Sequence, residues 1–132
     1  MTTEFATSSQ PLRFAIVEDD LFIGQLLSHM LDSAGFDSEF FPFGTDLLKS
    51  PNLLNFDAII LDLSLPDMDG FVVMQRLAES TIGMPVLLIS GHDVAVLHAA
   101  KLYGNGIGLK MRGALTKPFS EQEFFAAFGL KG

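Results

Sequence analysis

The sequence predicts an α/β domain in which a βα unit repeats five times, giving a doubly wound five-stranded parallel sheet with helices on both faces. Three observations predict it. Short, β-branched apolar runs such as Phe14-Ala15-Ile16-Val17, Ala58-Ile59-Ile60-Leu61 and Val86-Leu87-Leu88-Ile89 read as strands buried on both faces. Stretches with apolar residues at helical spacing separate them, and that alternation means a parallel sheet. Finally, polar residues recur where strands end: Glu18-Asp19 after the first, Asp62 after the third, Ser90 after the fourth and Lys117 after the fifth. In such sheets, ligands bind beyond the carboxyl ends of the strands.

Each element has a local reason. Residues 1–11 are rich in Ser and Thr and read as a flexible tail, leaving 12–132 as the domain. Residues 12–17 form the first strand, which stops at Glu18-Asp19-Asp20. Leu21, Leu26, Leu27, Met30, Leu31 and Ala34 mark a helix, with Asp20 as its N-cap and Gly35 at its C-terminal end. The second strand covers 37–41. After Pro42 and Gly44 a short helix runs over 45–49 and is stopped by Ser50-Pro51. The central strand ends at Asp62, and Ser64-Leu65-Pro66-Asp67-Met68-Asp69-Gly70 is a turn. A helix follows over 70–80, with Phe71, Met74, Leu77 and Ala78 facing inward. The fourth strand covers 86–89, a helix 93–103, a glycine-rich loop 104–108 and the fifth strand 112–116. Ser120 caps a last helix carrying Phe124, Phe125 and Phe128, which read as core.

Composition narrows the function. At 132 residues, with 48% apolar side chains, the chain is large enough for a proper core. It has no cysteine, which excludes thiol nucleophiles, disulfides and cysteine-ligated metals. A net charge of −8 makes nucleic acid and anionic membrane poor partners. Twelve of the sixteen acids fall in residues 1–70, a distribution that suits a hard cation. Residues 1–12 lack the apolar segment of a signal peptide, no run is long enough to span a membrane, and a cytoplasmic location is expected.

Three consecutive acids at a strand end are costly. Two carboxylates about 4 Å apart repel by roughly 4 kcal/mol at an effective dielectric of 20. The cluster must protonate, stay solvated or bind a cation. Asp62 alone reads either as the start of a turn or as a chemical group, and the recurrence of polar residues at the other strand ends favours the second. Asp19 and Asp62 offer hard oxygen ligands, Glu18 can add another through water, and a backbone carbonyl such as that of Ser64 can join them. That set suits magnesium. Asp62 can then act as an oxygen nucleophile toward phosphorus, giving an aspartyl phosphate. The transferred group spreads charge over its oxygens. Lys117, the Ser90 hydroxyl and nearby backbone N–H groups can take that charge.

The motifs Ile16-Val17-Glu18-Asp19-Asp20, Ile60 through Gly70, Leu88-Ile89-Ser90-Gly91 and Thr116-Lys117-Pro118-Phe119, in this order, resemble a response-regulator receiver domain of two-component signalling. The resemblance runs from about Leu12 to the end. It implies a flavodoxin-like topology with strand order 2-1-3-4-5. It implies Asp62 as phosphoacceptor and a Mg2+ site at Glu18, Asp19, Asp62 and the Ser64 carbonyl. It further implies Ser90, Gly91 and Lys117 as the phosphate-binding and switch residues, with a cis bond before Pro118. Its partners would be a sensor histidine kinase or a phosphotransfer protein, with an output domain C-terminal to Gly132 or a homodimer as further possibilities. The resemblance implies a signalling domain and not an enzyme of many turnovers.

Two features depart from the family pattern. The aromatic that the family couples to the switch hydroxyl is Ala114 here, so the usual output surface does not carry over. The connection from Ser90 to Lys117 is longer than usual by roughly one helical turn, about 3.6 residues. Its Gly108-Leu109 to Phe119 segment is similar to receivers fused to cyclic-di-GMP phosphodiesterase (EAL) domains.

Two rivals remain. A nucleotide-binding domain needs a glycine-rich loop after the first strand, where Glu18-Asp19-Asp20 stands, and Gly104, Gly106 and Gly108 precede a strand, not a helix. A haloacid-dehalogenase-type phosphatase shares the strand-end aspartate but needs an acid two residues on, where this chain has Ser64. His29 and His98 lie on separate helices, and His92 flanks Ser90-Gly91, where it is expected to tune water access to the phosphate.

Overall fold

The computed structural model describes residues 12–80, 83–91 and 94–129. The expected tail 1–11, His92 and the first residue of the expected fourth main helix, Asp93, lie outside the described residues. Five parallel strands, β1 (Arg13–Val17), β2 (Asp37–Phe41), β3 (Ala58–Asp62), β4 (Pro85–Ser90) and β5 (Lys110–Thr116), lie in the order β2-β1-β3-β4-β5. The helices are α1 (Leu21–Ser33), α2 (Gly44–Lys49), α3 (Gly70–Ser80), α4 (Val94–Gly106) and α5 (Glu121–Ala127). A single 3-10 turn over Leu53–Asn55, which the sequence pattern does not announce, precedes β3.

Alternate residues of each strand feed two cores. Ala15, Val17, Ile59, Leu61, Val86 and Leu88 pack with Leu47 of α2, Val73, Met74 and Leu77 of α3, and Leu97 and Ala100 of α4. Phe14, Ile16, Ile60, Leu87 and Ile89 pack with Leu27, Met30 and Leu31 of α1 and with Phe124, Phe125 and Phe128 at α5. The three phenylalanines are core, as expected, and Phe124 meets Phe125 and Phe128 edge-on. Burial on both faces is why the strands read as continuous apolar runs.

The caps fall where the sequence places them. The Asp20 side chain accepts from the Phe22 and Ile23 N–H groups. Ser120 and Glu123 form a capping box on α5. Gly35, just past α1, has φ 87°, a conformation that favours glycine.

Two expectations fail, both around the connection into β5. Residues 104–106, expected as loop, are the last turn of α4. Glycines have poor helix propensity, but the tertiary context overrides it here. A Cβ on Gly104 would lie 2.5 Å from the Met111 sulfur, so the absence of a side chain lets α4 close on β5. Strand β5 begins two residues earlier than expected, where Lys110 pairs with Pro85, and it carries a bulge: Val86 faces Met111 and Leu87 faces Gly113, leaving Arg112 as the extra residue. The Arg112 guanidinium donates to the Phe128 carbonyl, 2.9 Å away, at the end of α5.

Candidate functional site

The topology brings the ends of β1, β3, β4 and β5 to one edge of the sheet. Asp62 is the last residue of β3 and is 2% exposed. Glu18 follows β1, and its N–H is held by the Phe41 carbonyl at 3.1 Å. The Glu18 side chain is fully buried, whereas Asp19 is exposed. Ser90 closes β4 and is buried; its carbonyl accepts the Lys117 N–H at 2.8 Å. Gly91 lies against the Lys117 stem, where a Cβ would come within 4.0 Å of Cδ. The Lys117–Pro118 bond is cis, as the resemblance implied.

Lys117 and the carboxylates meet directly. The Lys117 Nζ donates to Asp62 Oδ2 at 3.2 Å and lies 2.5 Å from Glu18 Oε1. The second contact is an ion pair without hydrogen-bond alignment, so Glu18 Oε1 is a buried oxygen lacking an aligned donor. The other two oxygens are held by backbone: Asp20 N–H donates to Glu18 Oε2 at 3.1 Å and Ser64 N–H to Asp62 Oδ1 at 2.9 Å. One oxygen each from Glu18, Asp19 and Asp62 lies within 4.8 Å of the others. A hard, all-oxygen donor set of three converging carboxylates fits a hard divalent cation.

Burial pushes the Glu18 carboxyl up to about 7; Lys117 opposes that rise and Asp62 adds to it. For Lys117, burial works against the charged form, but the Glu18 and Asp62 carboxylates outweigh it and raise its pKa. The Glu18 shift has a defined sign. A group whose pKa rises on folding favours the folded state below its unfolded value and loses that contribution as pH climbs through the folded value. In EDTA, Glu18 is therefore expected to cost stability progressively from pH 4.5 to about 7. Urea denaturation across that window, in wild type and Glu18→Gln, measures it, and the variant should show the smaller pH dependence.

The structure thus brings together Glu18, Asp19, Asp62 and Lys117, and places Ser64, Ser90 and Gly91 on the same edge. His29 and His98 are exposed on α1 and α4 and join no cluster of metal-ligating residues among those described. Ala114 is half-buried in β5 opposite Leu88 and beside Leu97 and His98 of α4. Asp67, which in the sequence reads only as part of a turn, accepts the Gly44 and Thr45 N–H groups at the start of α2.

A doubly wound parallel sheet that gathers three carboxylates, a lysine and a serine at its carboxyl edge defines a class of phosphoryl-handling α/β domain. The chain belongs to the response regulator receiver domain family, which matches residues 14–128. It is 32% identical over 115 residues to the cell cycle response regulator CtrA of Brucella ovis, covering 87% of this chain and 47% of that protein. The CtrA protein of Brucella abortus matches equally. The chain spans about half the length of these curated relatives. A response regulator structure from Colwellia psychrerythraea is 34% identical, with a TM-score of 0.73 over 86% of this chain and 90% of that one. Vibrio cholerae CheY4, a chemotaxis protein, is 25% identical, with a TM-score of 0.73 over 89% of this chain and 96% of that one. These matches support the receiver reading of a two-component system and give no support to the haloacid-dehalogenase alternative. No helix among the described residues is long and apolar enough to cross a membrane.

Proposed function

We propose that this receiver domain, residues 12–132, accepts a phosphoryl group on Asp62 from a histidine kinase or phosphotransfer protein in the cytoplasm. The convergence of Glu18, Asp19, Asp62 and Lys117 carries the reading. Glu18, Asp19, Asp62 and the Ser64 carbonyl would hold a magnesium ion, which would supply the positive charge that lets a carboxylate meet a phosphoryl group. The Asp62 carboxylate forms a new P–O bond as the donor's P–N bond breaks. The departing imidazole nitrogen keeps the bonding pair and takes up a proton. Lys117, already paired with Asp62, balances charge on the transferred oxygens, while Ser90 and the backbone at Gly91 provide donors beside it.

The acceptor is a signal carrier and not an enzyme of many turnovers. Two residues past Asp62 stands Ser64, which lacks the acid needed to speed breakdown of the phospho-form. Incubation with magnesium and acetyl phosphate should load one phosphoryl group per chain. Rapid multiple turnover of a phosphomonoester would contradict this.

The donor protein has a surface to meet. Leu21, Phe22 and Leu26 on α1 are exposed, Phe22 at 72%. An apolar groove lined by Ile23, Leu26, Met30, Pro118 and Phe119 joins them to Lys117. A single exposed aromatic can dominate a protein interface. Phe22→Ser is expected to slow transfer from the phosphodonor protein by roughly tenfold or more. Labelling by acetyl phosphate should stay unchanged, because a small donor needs no docking. A domain C-terminal to Gly132 and a homodimer contact are the two proposed routes of output; a doubling of solution mass on adding magnesium and beryllofluoride supports the homodimer, and an unchanged mass contradicts it.

A further inference from the structure

The loop over 63–69 carries the residues next to Asp62, and it is pinned at both ends. At its base, Leu63 N–H donates to the Ile89 carbonyl at 3.1 Å, and Ser64 bridges to Asp69 in antiparallel fashion. The base is tight: a Cβ on Gly70 would sit 2.8 Å from the Leu63 Cα. At its tip, the Asp67 carboxylate reaches across to α2. Oδ1 accepts the Gly44 N–H and Oδ2 the Thr45 N–H, each at 3.0 Å. Helix α2 has no side-chain cap of its own, since Phe43 stands at the N-cap position. Asp67 does that work from 23 residues away. Packing reinforces the link: a Cβ on Gly44 would lie 3.3 Å from Leu65 Cδ1 and 3.6 Å from Met68 Cβ. Slight burial opposes ionisation of Asp67, but the Thr45 and Gly44 donors outweigh it and hold the carboxyl below its usual range.

We infer that Asp67 is a positioning residue: by clamping the 63–69 loop to the start of α2, it sets the Ser64 backbone against Asp62 and couples α2 to occupancy of the site. The inference rests on the magnesium site of the preceding section. Its mechanical basis is short. Ser64 N–H holds one Asp62 oxygen, and the Ser64 carbonyl is assigned to the cation, so a loose loop blurs both contacts. Residues that orient metal ligands typically contribute about 10–100-fold in metal affinity.

Calorimetric titration of the whole chain with magnesium tests it. Asp67→Ala is expected to weaken magnesium binding about tenfold. Asp67→Asn, which keeps one acceptor oxygen, should fall between it and wild type. At saturating magnesium, labelling by acetyl phosphate should return to the wild-type extent, which a general loss of structure would not allow. In wild-type protein, the Gly44 and Thr45 amide resonances should shift when magnesium and beryllofluoride are added. A folded Asp67→Ala protein that binds magnesium like wild type overturns the inference alone. Should that variant fail to fold, unmoved Gly44 and Thr45 amides in wild type overturn it. Wild-type protein that binds no magnesium overturns the site assignment and this inference with it.

Discussion

In an Asp62→Asn variant, labelling by acetyl phosphate falls to background while the fold is kept. The amide is close in shape to the carboxylate and its oxygen can still accept the Ser64 N–H, held at 2.9 Å in the native protein. It carries no negative charge and its oxygen is far less nucleophilic than a carboxylate's, so no P–O bond forms. Lys117 retains its contact with Glu18. The variant also removes one of three carboxylates whose oxygens lie within 4.8 Å of one another, relieving a repulsion of about 3 kcal/mol per pair at an effective dielectric of 20. The metal-free variant is therefore expected to be at least as stable as wild type. Intact mass after labelling and urea denaturation in EDTA check both parts. Persisting stoichiometric label would place the phosphoacceptor elsewhere.

Lys117→Met has the second large effect, and it falls on stability as well as signalling. Glu18 is fully buried and Asp62 is 2% exposed, and Lys117 touches both. Removing one partner of a buried ion pair costs about 3–5 kcal/mol, because the remaining charge is left uncompensated. Glu18 has an escape: its carboxyl already titrates at about 7, and losing Lys117 raises it further. The destabilisation is thus expected to be greatest above neutral pH, where Glu18 must ionise, and smaller below it, where Glu18 is protonated. Magnesium should restore part of the loss. Urea denaturation of wild type and variant, on both sides of neutrality and with magnesium or EDTA, reads all three effects. Equal stability of the two proteins at high pH in EDTA would mean that Lys117 does not support the buried acids.

Much of this architecture was legible because the strands announce themselves. Ala58-Ile59-Ile60-Leu61 is too short for a helix, β-branched and bounded by polar residues, and it is the fully buried centre of the sheet. Asp20, Gly35 and Ser120 act through local backbone chemistry, so their capping roles survive in the folded chain. What escaped depends on distant partners. Gly104 and Gly106 read as loop because the helix there is favoured by Met111 packing from β5, which no local pattern records. The Arg112 bulge is a matter of register with β4. Val73 is fully buried on α3 whereas Phe71 is half-buried, and periodicity alone does not fix the centre of an apolar stripe.

The site divides along the same line. The grouping of Glu18, Asp19, Asp62 and Lys117 follows from four strand ends sharing one edge, which the βα order implies. The direct contact of Lys117 with Glu18, and the burial that lifts the Glu18 pKa, depend on side-chain depth, which the order of elements does not specify. Asp67 is the furthest from view. Its two partners, Gly44 and Thr45, precede it by more than twenty positions, and a turn aspartate gives no sign of reaching so far.

A crystal structure of the chain with magnesium and beryllofluoride tests the central assignment most directly. It should show the fluoride adduct on the Asp62 carboxylate, the Lys117 ammonium and Ser90 hydroxyl within hydrogen-bond reach of its fluorines, and a cation on Asp19 and Asp62. Density for the adduct on another residue, or a cation bound away from Asp19 and Asp62, would contradict it.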